Sequence, residues 1–217
     1  MMSAYLNKLL EISECISTTP NNSRAGFKLL EQKFNLPGAE VSTLEKILSI
    51  KNGFYAFESA LHFLGTGSDR PDIDIEGWNS PDLWIKSYGT IKPDGLCVAE
   101  DLFGNQFYIA FDGIYTFDCE IGDKEKIARN FGEWCKLILD DYDYLTGYTL
   151  AHEWQKKNGP LEPGKRLMAK VPFSLEGDFD VDNLQIANAV DLMLTRADLA
   201  VQLAPIPDGT KVNINIG

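Results

Sequence analysis

Hydrophobic side chains recur every three to four residues over the first fifty positions of the chain. This spacing predicts three amphipathic helices, over residues 3–17, 23–34 and 40–51. Leu36-Pro37-Gly38 ends the second helix and Asn52-Gly53 ends the third, because proline and glycine interrupt helical backbone. The first strand is therefore expected only after these three helices.

The spacing changes to short apolar runs after the third predicted helix. Phe54–Phe57 and Leu61–Gly65 are aromatic-rich and predict strands. The clearest signal lies in residues 95–118, where three apolar runs are joined by Gly104-Asn105 and Asp112-Gly113. An Asp-Gly pair between apolar runs favours a type I′ hairpin, whose two central residues need positive φ. This region is predicted to form a three-stranded antiparallel meander.

Helical spacing returns in the second half of the chain. Ser80-Pro81-Asp82 is typical of a helix N-terminus, and the helix that it starts is predicted to end at Gly89. Further helices are predicted over 124–139, 145–157 and 183–203, and a final strand over 210–216. Runs of strands between runs of helices predict an α+β fold, with a central antiparallel sheet flanked by N-terminal and C-terminal helices.

Composition limits where and on what the protein acts. The chain has 217 residues, with 20 Lys and Arg against 32 Asp and Glu, a formal charge of −12. This excess argues against direct nucleic-acid binding, because phosphate contacts need clustered basic side chains. No run of about 18 apolar residues is present, so no membrane span is predicted. Lys8, Glu11 and Glu14 interrupt the N-terminal apolar segment, so we expect a cytoplasmic protein whose four cysteines are buried thiols.

The negative charge is concentrated in the middle of the chain. Residues 51–145 hold eight basic and eighteen acidic side chains, whereas residues 1–50 are balanced and residues 146–217 carry −2. Such a surface either only keeps the protein in solution or attracts a basic partner by electrostatic steering. In the second interpretation, acids beside a tryptophan form the contact surface, because aromatic anchors are common hot spots. The candidate partner-binding residues are Asp69, Asp72, Asp74, Glu76, Trp78, Glu100 and Asp101.

Catalytic and metal-binding motifs are incomplete in this sequence. His152-Glu153 begins a zinc-protease motif, but Lys156 stands where the second histidine is needed. Residues 72–77 and 178–182 alternate acids with apolar residues, yet neither segment has the acid at position twelve of a calcium loop. An exposed strand with inward-facing apolar residues is the preferred interpretation of both. We assign no catalytic residue, cofactor or metal ligand.

A series of short motifs has the order and spacing of a known family. Leu36-Pro37 precedes a helix, Asn52-Gly53 follows it, residues 101–107 read DLFGNQF, and residues 131–134 read FGEW. In this order, residues 25–145 resemble the SUKH superfamily, the cell-wall-assembly-regulator-like proteins.

The resemblance implies a division of the chain and a function. Residues 1–145 would form a SUKH-like α+β core, and residues 146–217 a C-terminal helical extension with a final strand, packed on the same domain. It also implies a bacterial immunity protein, which neutralises a cognate toxin by occluding its basic active site. The family shares no catalytic residues, so none is transferred.

Two other functions are compatible with the sequence. One is a regulatory scaffold that binds a signalling or cell-wall enzyme. The other is a hydrolase, which requires a deep pocket lined by convergent acids or by His62 and His152. Glu100-Asp101 and Glu120 are candidate acid–base carboxylates, although nothing in the sequence fixes their separation. Asp101 otherwise stabilises a turn.

Overall fold

The computed structural model describes residues 3–17, 24–70, 72–207 and 209–210, which form the predicted α+β fold with a central antiparallel sheet. The strands are β1 (Glu14–Ser17), β2 (Asn52–Ala56), β3 (Leu61–Phe63), β4 (Leu96–Glu100), β5 (Gln106–Ala110), β6 (Gly113–Phe117), β7 (Lys124–Ala128), β8 (Lys165–Ala169) and β9 (Leu184–Asn188). The helices are α1 (Ala4–Ile12), α2 (Arg24–Phe34), α3 (Gly38–Ile50), α4 (Ile75–Trp78), α5 (Phe131–Asp140), α6 (Tyr142–Thr146), α7 (Tyr148–Asn158) and α8 (Ala189–Leu203).

The central sheet is one continuous meander. Strands β1 to β7 pair antiparallel, each with its neighbour in the chain. The three-stranded meander predicted over residues 95–118 is confirmed as β4, β5 and β6. Strands β8 and β9 form a separate antiparallel pair. Helices α2 and α3 lie between β1 and β2, and α4 lies between β3 and β4, whereas short connections join the other neighbouring strands.

The two faces of the sheet differ in chemistry because successive side chains of a strand point to opposite faces. On one face, Phe63 and Phe107 pack against Trp134 of α5, at ring-centroid distances of 6.1 and 5.6 Å. The opposite face carries a polar row in register across β2 to β5, formed by Tyr55, His62, Glu100 and Gln106. The polar row is therefore positioned by strand register rather than by any local motif.

Two apolar cores hold the elements together. The larger core joins the sheet to helices on both faces, and α8 contributes the fully buried Leu192, Met193 and Ala197 to it. The smaller core lies around Trp154 of α7 and Leu167 of β8. Residues of the C-terminal extension thus contribute to both cores. No helix in the described ranges is long and apolar enough to cross a membrane.

Three predicted helices are shorter than expected because part of each is a strand. The first helix ends at Ile12, and Glu14–Ser17 is β1, paired with β2. The helix predicted over 124–139 begins only at Phe131, because Lys124–Ala128 pairs with β6. The helix predicted over 183–203 begins at Ala189, after β9. Apolar spacing over four or five residues does not separate helix from strand, so tertiary pairing decides.

The predicted Asp-Gly hairpin forms, but through a different turn. Ala110 pairs with Gly113, so Phe111 and Asp112 are the central residues, and neither has positive φ. The type I′ prediction was therefore wrong. Gly113 is instead required within β6, where a Cβ would lie 2.4 Å from the carbonyl oxygen of Ala128.

Two further predictions differ from the observed backbone. The helix expected over 80–89 is a turn followed by a 3₁₀ helix over Ile85–Ile91, which Gly89 interrupts with a φ of 55°. The final strand expected over 210–216 lies, apart from Thr210, outside the described residues. Three cysteines are buried as predicted, whereas Cys15 is exposed on β1.

Candidate functional site

Four of the seven predicted partner-binding residues are buried and do not lie on an exposed face. Asp74 is 6% exposed, Trp78 0%, Glu100 1% and Asp101 6%. In this structure they present almost no surface to a partner, so their role as direct partner contacts gains no support and stays a prediction. Acids and a tryptophan close together in sequence predict a contact surface, but burial is decided by how the sheet and helices close over these residues.

Two of these buried residues, Asp74 and Trp78, hold α4 and its neighbours in place. The carboxylate of Asp74 caps α4 by accepting the N–H groups of Glu76 and Gly77, each at 2.9 Å. Trp78 donates its indole N–H to Oε1 of Gln106 at 2.7 Å.

Asp101 stabilises a turn, as the alternative interpretation of the sequence expected. Its Oδ1 accepts the N–H groups of Phe103 and Asn105, at 2.8 and 2.9 Å. Gly104 follows in the left-handed region, with a φ of 89°, which a residue without a Cβ adopts at little cost. Burial raises the pKa of Asp101 to about 7, against the opposing effect of these hydrogen bonds.

The remaining predicted residues do not form the expected combination of acids and an aromatic anchor. Asp72 is ion-paired with Arg70. Asp69 and Glu76 are exposed, but Trp78 beside them is buried in the core. This segment therefore offers charge without an aromatic surface.

Glu100 lies in the polar row, at the centre of a buried charge cluster. Its Oε1 accepts the Nε–H of Arg166 in β8 at 2.8 Å and lies 2.9 Å from Nδ1 of His62. Arg166 also lies over the ring of Tyr55, 5.4 Å from the centroid. The hydroxyl of Tyr55 accepts the N–H of Gly164 at 3.1 Å. These contacts bind the β8–β9 pair to the central sheet.

The charges of this cluster follow from burial and proximity. Burial raises the pKa of Glu100, but the opposing effects of Arg166 and His62 outweigh it, so the net pKa is lowered. Burial lowers the pKa of His62, which stays neutral beside the Glu100–Arg166 pair. All three side chains are at most 1% exposed. The cluster is thus inaccessible to a substrate or partner in this conformation, and we assign it a structural role.

An open groove on another part of the molecule combines aromatic and acidic groups. It has a volume of about 1090 Å³ and lies between the ends of β6 and β7, helices α5 and α6, and the segment 173–179. Its aromatic lining consists of Phe103, Phe107, Tyr144, Phe173 and Phe179. Tyr144 is 84% exposed and Phe179 is 70% exposed, so large apolar surfaces face solvent here. We call this feature the acidic–aromatic groove.

The C-terminal extension supplies one wall of the acidic–aromatic groove. Phe179 stacks on Phe173 with ring centroids 4.0 Å apart, and Phe173 meets Phe103 edge to face at 5.2 Å. Glu120 holds this wall, because its Oε2 accepts the N–H of Ser174 at 2.9 Å. The other oxygen of Glu120 is paired with Arg196 of α8 at 3.0 Å. The wall is therefore fixed to the larger core.

Several carboxylates of the groove have no counter-charge. Asp123, Glu125 and Asp141 are exposed, and their carboxylates make no hydrogen bond or ion pair within the described ranges. Asp118 also lines the groove, and burial raises its pKa. Unpaired carboxylates beside exposed rings leave this surface strongly negative.

The two lysines of the groove do not neutralise these acids. Lys124 is paired with Asp94 at 2.6 Å, and Lys126 with Asp112 at 2.7 Å. Neither Asp94 nor Asp112 lines the groove. The positive charge of β7 is thus already matched by acids outside it.

Sequence reasoning missed Tyr144 and Phe179, although a signal for each was present. Phe179 lies in the segment 178–182, which was expected to form a strand with Phe179 inward. Residues 178–180 are irregular and Val181–Asn183 is a 3₁₀ helix; Phe179 is exposed, and only Val181 is buried as predicted. Tyr144 follows Asp143 in a similar alternation of acids and tyrosines. Aromatic residues alternating with acids were the signal for an exposed aromatic surface.

The structure does not bring the two histidines together. His62 is buried against Glu100, whereas His152 pairs with Glu58 at 2.8 Å on α7. Asp101 and Glu120 do line the same groove, but each is engaged in structural hydrogen bonds. Among the described residues, no group of three or more His, Cys, Asp or Glu has a geometry that could hold a metal ion.

Comparison with known proteins gives a fold but no family. No family model matches the chain, and no curated protein matches it. Among solved structures, it is similar to the crystal structure of Atu4351 from Agrobacterium tumefaciens, with a TM-score of 0.54 and 14% sequence identity. The similarity covers 87% of this chain and 86% of that chain. At this identity the likeness extends to the fold alone, and membership of the SUKH superfamily stays a prediction.

Proposed function

We propose that the protein acts by binding a basic protein partner, as an immunity protein that neutralises a cognate toxin by occluding its basic active site. The observation that carries the proposal is the acidic–aromatic groove. Its exposed Tyr144 and Phe179 lie on the same surface as the unpaired carboxylates of Asp123, Glu125 and Asp141.

This combination suits a protein–protein contact. Exposed aromatic side chains supply most of the apolar area of a binding hot spot at a small cost in conformational entropy. Unpaired carboxylates raise the association rate of a basic partner and disfavour acidic partners. A toxin that acts on nucleic acid needs a basic active site, which is the surface such a groove complements. The resemblance to immunity proteins of the SUKH type supports the same proposal.

The proposal predicts a toxin gene beside the gene for this chain, and the test uses the toxin domain which that gene would encode. We expect the two purified proteins to form a stoichiometric complex in which the toxin's activity is lost. Binding should weaken as salt rises from about 50 mM to about 500 mM NaCl, because screening reduces steering between exposed charges. Failure of the pair to bind, or full toxin activity within the complex, would refute the proposal.

A further inference from the structure

We propose that the acidic–aromatic groove recognises an arginine-bearing segment of its partner, with the guanidinium stacked on an exposed ring and paired with a groove carboxylate. This inference rests on the proposed function, because it names the chemistry of the partner's contacting segment. It requires two features on the same surface, free carboxylates and accessible ring faces.

The carboxylates of the groove are free to bind a cation. Some exposed acids elsewhere on the molecule are matched within the chain, as Asp82 is by Lys86 and Asp140 is by Lys136. Asp123, Glu125 and Asp141 have no such partner in the described part of the chain. Their charge is therefore available to a second molecule.

The rings of the groove are accessible on at least one side. Tyr144 is 84% exposed and stacks on no other ring among the described residues. Phe179 uses one face to stack on Phe173, yet it remains 70% exposed. Each ring thus offers a surface to an incoming planar group.

Arginine satisfies both features better than lysine does. Its guanidinium is planar, stacks on aromatic faces, and donates two parallel hydrogen bonds to one carboxylate. The ammonium of lysine is a strongly hydrated point charge that can pair with the carboxylate but does not stack as a plane. A second copy of this chain is a poor occupant, because each copy carries a formal charge of −12.

The inference can be tested with fluorescein-labelled hexa-arginine and hexa-lysine in a fluorescence-anisotropy titration of the full chain. At about 150 mM NaCl we expect hexa-arginine to bind about tenfold more tightly. Tyr144→Ala and Phe179→Ala should each weaken hexa-arginine binding about three- to tenfold, because each removes one cation–π surface. Hexa-lysine binding should change less.

Matched controls separate the groove from the general surface. Phe111 is also 70% exposed but does not line the groove, so Phe111→Ala should leave hexa-arginine affinity unchanged. For charge, the double variant Asp123→Asn/Glu125→Gln is compared with Glu76→Gln/Glu153→Gln, which changes two exposed acids outside the groove. Only the first pair should weaken binding of both peptides.

The outcomes distinguish this inference from the proposed function. Equal affinity for the two peptides, or equal losses in groove and control variants, would overturn the arginine inference. If the groove variants still bind the toxin domain as tightly as the unmodified chain, the inference fails while the immunity function stands. If the groove selects hexa-arginine but the chain does not bind the toxin domain, the proposed function fails and the groove assignment stands.

Discussion

Replacing Arg166 by Met tests whether the buried polar row fastens the C-terminal extension to the sheet. The change keeps an apolar side chain of similar length but removes the hydrogen bonds to Oε1 of Glu100 and to the carbonyl oxygen of Ser59. Glu100, which is 1% exposed, then keeps its charge in the core. The polar neighbours that remain beside its carboxylate are the neutral His62 and, further away, the amide of Gln106. The variant therefore combines lost contacts with an uncompensated buried charge.

The expected loss follows from known costs of such changes. Removing one member of a buried ion pair costs about 3–5 kcal/mol of unfolding free energy, most of it from the charge that stays behind. For a chain of this size, each 1 kcal/mol lowers Tm by about 2–4 °C, so we expect a decrease of about 6–20 °C. The measurements are urea unfolding followed by tryptophan fluorescence and a thermal melt followed by circular dichroism.

A second variant identifies the cause of the loss. Adding Glu100→Gln to Arg166→Met removes the stranded charge, so the double variant should be about 2 kcal/mol more stable than Arg166→Met alone. Lys86→Met, which breaks an exposed ion pair, is the control and should leave the urea midpoint unchanged. A loss below about 1 kcal/mol for Arg166→Met, or no recovery in the double variant, would refute the reasoning.

Three further changes test other parts of the fold. Gly113→Ala should destabilise the protein by about 1–3 kcal/mol in urea unfolding, because its Cβ would lie 2.4 Å from the carbonyl oxygen of Ala128; a neutral result contradicts this. Tyr55→Phe should cost about 1–3 kcal/mol, because it leaves the N–H of Gly164 without its acceptor, and an unchanged urea midpoint would argue against the contact. Asp101 keeps its proton in the folded state up to a pKa of about 7 but loses it near 3.8 when unfolded, so it lowers stability as pH rises between these values. Asp101→Asn should therefore gain stability relative to the unmodified chain between pH 4 and 7, by up to about 1.4 kcal/mol per pH unit; parallel pH profiles would rule this out.

Local signals were enough to predict much of the fold. The meander over 95–118 was predictable because alternating apolar runs and short turns are properties of neighbouring residues. The helix over 40–51 was predictable for the same reason, since its apolar spacing and its Asn52-Gly53 ending are local. Lys124–Ala128 was mistaken for helix because five residues do not establish a period, and only pairing with β6 makes them a strand.

The candidate site was less predictable than the fold. The sequence by itself determined the excess of acid and its concentration in the middle of the chain, which is a count and needs no coordinates. Only the tertiary structure decided which acids are accessible: it buried Glu100 against Arg166, 66 positions away in sequence, and placed Phe179 of the extension beside carboxylates near β7. The physical reason is that burial and charge pairing depend on which distant segments close over a residue, whereas periodicity reports only on its neighbours.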